Sequence, residues 1–129
     1  MKHLKIKKFC SEAKKCNLDD NDLIETINEF IKLNREDQLK FSLGAGLFKL
    51  RIATKTGRGK SAGSRSLLAF QKNNGVFWLH LFSKNDKENI TSLELKKLKQ
   101  LSNIMIHLSD TEIEKLINIG ELYEVNENE

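Results

Sequence analysis

The stretch from Thr54 to Arg65, TKTGRGKSAGSR, contains Gly59-Lys60-Ser61, the triplet with which many phosphate-binding loops end. Such a loop needs a glycine five residues before Gly59 to turn the chain out of a strand. It also needs a helix after the serine, whose first amides complete the anion cradle. Thr54 occupies the first position, and after Ser61 the run AGSRSLLAF puts Gly63 where a helix would start and Leu67, Leu68 and Phe70 in a strand-like pattern. Both requirements fail. The residues specify a glycine-rich, cationic loop between two strands, which offers charge to phosphates without the geometry of nucleotide binding.

The loop sits in a wider basic region. Between residues 38 and 85 there is no Asp or Glu, while Lys40, Lys49, Arg51, Lys55, Arg58, Lys60, Arg65, Lys72 and Lys84 all fall there. The net charge of +4 understates this, because the flanks carry all 18 acids. Uncompensated positive charge concentrates polyanions and is the footprint of nucleic-acid contact, with a solvated basic face as the competing reading. Lys55, Arg58 and Lys60 belong to the loop, where basic side chains also serve solubility. Arg51 and Arg65 sit in strand patterns beside apolar neighbours, where a guanidinium loses hydration unless an anion meets it.

Other chemistries find little support. His3, His80 and His107 lie on separate elements and no carboxylate cluster accompanies the basic region, so no metal or other cofactor is expected. A Ser-His-Asp arrangement is likewise unsupported, because the basic stretch has no carboxylate. His80 lies in an apolar run, where a packed, hydrogen-bonded histidine competes with a catalytic one, and its spacing from Lys84 points both to one side. Trp78 and Phe82 share that side by the same alternation, either to stack bases or to fill a core.

These side chains need a sheet. In LFKLRIATK, Phe48, Leu50 and Ile52 face one way and Lys49, Arg51 and Ala53 the other. A second strand runs from about Arg65 to Phe70. Asn74-Gly75 then signals a hairpin, and VFWLHLFSK reads as a central strand covered on both faces. Ahead of them, KHLKIK suggests a short edge strand, and a brief helix follows through Phe9, Ala13 and Cys16. From Asp19 an amphipathic helix carries Leu23, Ile24, Ile27, Phe30 and Ile31 on one stripe. Thr91-x-x-Glu94 and Ser109-x-x-Glu112 open two more helices, the second ended by Gly120. The order (β)ααβββαα predicts an α+β protein, a small antiparallel meander packed with N-terminal and C-terminal helices.

At 129 residues the chain fits one domain, residues 1–129, with residues 109–129 as a helical and acidic C-terminal extension. Two cysteines without CxxC spacing, no apolar run of membrane-spanning length and no signal-peptide pattern predict a cytoplasmic protein with no membrane partner.

The run AGLFKLRIATKTGRGKSAGSRSLLAF, followed by a hairpin and LHLFSKNDKENITSLELKKLKQL, resembles toxins of the RelE/ParE superfamily, in particular the RelE and HigB-like branch of bacterial type II toxin–antitoxin systems. The shared pattern is a Gly-Leu-x-Lys-x-Arg strand, a GKS-G-x-R loop and an F-x-K-N-[DE] strand end, over roughly residues 44 to 105. The resemblance implies a RelE-like microbial RNase fold. It also implies a ribosome-dependent mRNA interferase, working without metal or cofactor and neutralised by a cognate antitoxin, a helix-turn-helix protein encoded next to it. By position, Lys49 and Arg51 match the family's basic strand pair, Arg65 its phosphate-contacting arginine, and Lys84 the basic residue ending the last strand. These form the expected catalytic set, with Lys55, Arg58, Lys60 and His80 contacting RNA. Asn85 stands where some relatives have arginine, and NITSLEL lacks a tyrosine that some carry, which leaves His80 or Tyr123 to contribute or the set smaller.

In the implied reaction a ribose 2′-hydroxyl attacks its own 3′-phosphate, so the site must take one proton, give one, and stabilise phosphoryl charge. Crowded cations disfavour one another's charge, which makes Lys49 a candidate base while Arg51 and Arg65 hold the phosphate. The alternative is a ParE-like inhibitor of DNA gyrase, acting by binding alone.

Overall fold

The computed structural model describes residues 1–52, 64–82 and 90–126. The described elements are β1 (Lys2–Ile6), α1 (Lys7–Lys15), α2 (Asp20–Lys32), α3 (Arg35–Leu39), β2 (Ser42–Gly44), β3 (Leu47–Arg51), β4 (Arg65–Gln71), β5 (Gly75–Phe82), α4 (Ser92–Ile106), α5 (Asp110–Asn118) and β6 (Leu122–Glu124). The class is α+β, as the sequence predicts. Six strands form one mostly antiparallel sheet in the order β2-β3-β4-β5-β1-β6.

Helices cover both faces of the sheet. On one, α1 and α2 contribute Phe9, Ala13, Leu23, Ile27 and Phe30 to a core with Phe48, Leu50, Ile52, Leu68 and Trp78. On the other, Met105 and Ile106 of α4 and Ile113 of α5 pack on Leu47, Leu67, Ala69 and Phe77. The expected helix starts are present: Thr91 and Ser109 each accept the backbone N–H three residues on, with Glu94 and Glu112 bonding back. Asp19 and Asp22 form the same reciprocal cap on α2. Central β5 is buried on both faces over most of its length, as its unbroken apolar run requires.

Two features depart from the local pattern. The expected edge strand β1 lies inside the sheet, parallel to β5 from Lys2↔Gly75 to Lys5↔Trp78 and antiparallel to β6 on its other side. Its lysines read as edge protection, yet Lys5 is mostly buried and bridges to Asp20. The connection before GAG contains α3 and β2. Around GAG the residues Gly44, Ala45 and Gly46 all have positive φ, which folds β2 back onto β3. A Cβ on Gly46 would come within 2.8 Å of Ile106 Cδ1, so the glycine lets α4 approach the turn. Ser102 Oγ secures that approach by donating to the Ala45 carbonyl at 2.9 Å.

Candidate nucleic-acid interface

Alternation along β3 buries Phe48 and Leu50 and leaves Lys49 and Arg51 exposed on the opposite face. Register then decides what stands beside them, because directly opposed residues of neighbouring strands project to the same side. Lys49 pairs with Leu67 and Arg51 with Arg65. On the next strand Leu67 pairs with His80 and Arg65 with Phe82. Two adjacent rows across the sheet are therefore Lys49–Leu67–His80 and Arg51–Arg65–Phe82. The same face is apolar under α4, at Leu47, Ala69 and Phe77, and cationic beyond it.

A bulge puts His80 there. Leu68 pairs with Trp78 but Leu67 pairs with His80, so Leu79 is the extra residue on β5 and the alternation resets. Trp78 and Leu81 consequently share the α1/α2 core, and His80 falls on the cationic face. The expectation that Trp78 shares a face with His80 and Phe82 is overturned by that one residue. Trp78 is fully buried, packs against Phe9 at 5.8 Å between ring centroids, and cannot stack on a base.

Around His80 the contacts are mixed. Its ring lies 5.7 Å from that of Phe82, and the Lys49 ammonium sits 5.9 Å from the Phe82 centroid, at the outer reach of a cation–π contact. Nδ1 of His80 is 3.1 Å from Glu12 Oε2, off the line of a hydrogen bond, so the contact is electrostatic. The other oxygen, Oε1, accepts the Leu81 backbone N–H at 3.1 Å. At the start of α4, Glu94 is held below the ordinary carboxylate value by the backbone N–H and hydroxyl of Thr91, with smaller electrostatic contributions from His80 and Lys8.

Of the residues singled out from the sequence, Lys49, Arg51, Arg65 and His80 come together. Lys84, Lys55, Arg58, Lys60 and Asn85 lie outside the described residues. Tyr123 is not part of the cluster: on β6 it pairs with Lys5, which pairs with Trp78, so it stands on the opposite face of the sheet. The chain emerges from the Gly59-Lys60-Ser61 region into β4, where a nucleotide-binding loop would need a helix. Among the described residues no three His, Cys, Asp or Glu side chains gather to hold a metal ion. Glu12 has no sequence motif to mark it. Its one signal is being the only acid in the first 18 residues.

Comparison with protein families matches residues 1–125 to the family described as the RelE toxin of the RelE/RelB toxin–antitoxin system. The chain belongs to the RelE family. A search of curated proteins found no match. The RelE match runs from β1 through β6, so it takes in α5 and the strand that pairs with β1 as well as the basic meander. Membership makes the protein a toxin of a toxin–antitoxin system, with an antitoxin as partner. No described helix is long and apolar enough to cross a membrane.

Proposed function

We propose that this RelE-family toxin is a cytoplasmic, metal-independent endoribonuclease that enters the ribosomal A site and cleaves mRNA there. A helix-turn-helix antitoxin encoded beside it restrains it. RelE-family toxins are generally ribonucleases. The observation that carries the reading is the convergence of Lys49, Arg51, Arg65 and His80 on one face of the sheet.

RNA brings its own nucleophile, the 2′-hydroxyl, so the protein has no water to activate. It needs donors aimed at the phosphoryl oxygens and a way to move two protons. Arg51 and Arg65, one cross-strand step apart, form a fork for the phosphate. Lys49 and His80 flank it one row away, and the proton transfers fall to them. Lys84 adds charge at the end of the last strand, and Lys55, Arg58 and Lys60 hold the flanking backbone. A catalytic set of four cations, Lys49, Arg51, Arg65 and Lys84, and one imidazole is sparse machinery. Orientation of the strand by the ribosome supplies what they lack, since positioning alone is worth up to about 7–11 kcal/mol of a barrier. In this reading residues 1–129 are a single toxin domain and residues 109–129 its C-terminal extension.

The test is incubation with ribosomes programmed with a defined mRNA, beside a gyrase supercoiling assay. Cleavage leaving a 2′,3′-cyclic phosphate supports the proposal. Intact mRNA with arrested gyrase would install the ParE-like reading in its place.

A further inference from the structure

We infer that Glu12 is a positioning residue for His80, holding the imidazole proton on Nδ1 so that Nε2 takes the proton of the ribose 2′-hydroxyl. The inference rests on the ribonuclease reading above and adds to it a residue on α1, outside the basic meander.

The geometry follows from where β1 stops. Its pairing with β5 ends at Trp78, because the chain turns into α1 at Lys7. Beyond that point α1 lies alongside β5, and Glu12 Oε1 accepts the Leu81 N–H that a strand partner would otherwise take. One oxygen anchored on the backbone fixes the other, Oε2, 3.1 Å from His80 Nδ1. Both side chains are mostly buried, 17 % exposed for His80 and 18 % for Glu12. An ionised carboxylate only accepts hydrogen bonds, so it favours the tautomer with the proton on Nδ1 and the lone pair on Nε2. Nδ1 is itself buried, so the exposed part of the side chain lies elsewhere on the ring.

Among the described residues, Lys49 of β3 stands in the same row as His80, Arg65 of β4 in the next, and Glu94 of α4, itself influenced by Lys8 of α1, is close enough to interact electrostatically with the ring. In the reaction the O2′–P bond forms as Nε2 accepts the 2′-hydroxyl proton. The P–O5′ bond breaks, and O5′ takes a proton from the Lys49 ammonium, so with His80 as the base Lys49 serves as the acid and not as the base its crowded surroundings suggest. The products are a 2′,3′-cyclic phosphate and a 5′-hydroxyl, and both side chains regain their starting states by proton exchange with water.

The decisive variant is Glu12→Gln. Its carbonyl oxygen can still accept the Leu81 N–H, which leaves the amide NH2 facing Nδ1. A donor there drives the imidazole proton onto Nε2 and removes the lone pair that does the work. The expected result on programmed ribosomes is a kcat lower by about 10²-fold or more with KM unchanged, since a general base contributes that much. Thermal unfolding should match wild type, and 15N spectra of histidine-labelled protein should show His80 changing tautomer. His80→Gln should lose the same factor, and the double variant no more, as for two residues acting as one unit. An unchanged kcat in Glu12→Gln would overturn the inference, as would a loss that tracks lowered melting with the tautomer intact. Cleavage that depends on Arg65 but not on Glu12 overturns this inference alone. A wild-type protein that leaves mRNA intact overturns the ribonuclease reading and this inference with it.

Discussion

Trp78 donates its indole N–H to Nε2 of His3 at 2.7 Å, across the parallel pairing of β5 with β1. To accept that bond the imidazole must be neutral at Nε2, and burial lowers the pKa of His3 to about 4, with Lys5 adding to the shift and Asp20 opposing it. The folded protein thus binds the proton more weakly than the unfolded chain. Stability is full above about pH 6.5, declines as pH falls, and stops declining from this source below about 4. The measurement is melting temperature against pH for wild type and His3→Gln, whose carbonyl can accept from Trp78 without titrating. The difference between the two should grow between those limits, and parallel curves would rule the account out.

Gly75 has φ of +128°, and a Cβ there would lie 2.3 Å from the Lys2 carbonyl oxygen. The clash is with backbone at the first residue pair of β1 and β5, so no side chain can swing aside. Gly75→Ala should cost on the order of 3 kcal/mol or more in urea unfolding, combining a disallowed dihedral with displacement of β1. A loss below about 1 kcal/mol would mean that β1 shifts freely, against its buried placement.

How legible this was depends on the range of the signal. Amphipathic α2, the capped starts of α4 and α5 and the alternation of β3 rest on neighbours within a few residues, and the sequence predicts each. The inside position of β1 depends on Tyr123 and Leu122, more than a hundred residues away, and on parallel pairing that no hairpin announces. The site divides the same way. Strand parity places Lys49 and Arg51 on one face. A bulge of one residue, Leu79, reverses parity and separates Trp78 from His80, and short-range pattern does not mark such an insertion.

Lys49 is exposed and its neighbours on the strand are held by the core, so Lys49→Ala should fold normally. If it contacts a phosphate, affinity for single-stranded RNA should fall at low salt. The slope of log K against log salt should also shrink by about 0.7, the release from one phosphate contact. Titrations at several salt concentrations check this, and an unchanged slope would remove Lys49 from the RNA path.

Arg65 should act through transition-state charge and contribute little to folding. It opens β4, its side chain is only partly buried, and its partner across the strand pair is Arg51. Truncating a partly buried side chain at a strand end leaves little cavity, so stability should stay close to wild type. At a developing phosphorane the balance differs. Losing one preorganised donor typically costs about 2.7–4 kcal/mol, or 10²–10³ in rate. Arg65→Ala is therefore expected to melt with wild type, to cleave mRNA on programmed ribosomes some 10²–10³-fold more slowly, and to be nearly non-toxic when expressed from a tight promoter. Arg65→Lys keeps the charge but not the planar fork, and should recover only part of the rate if the arginine makes two hydrogen bonds to the phosphate. Full activity in Arg65→Ala with unchanged melting would show that the phosphate sits elsewhere, whereas full recovery in Arg65→Lys would reduce the fork to simple charge.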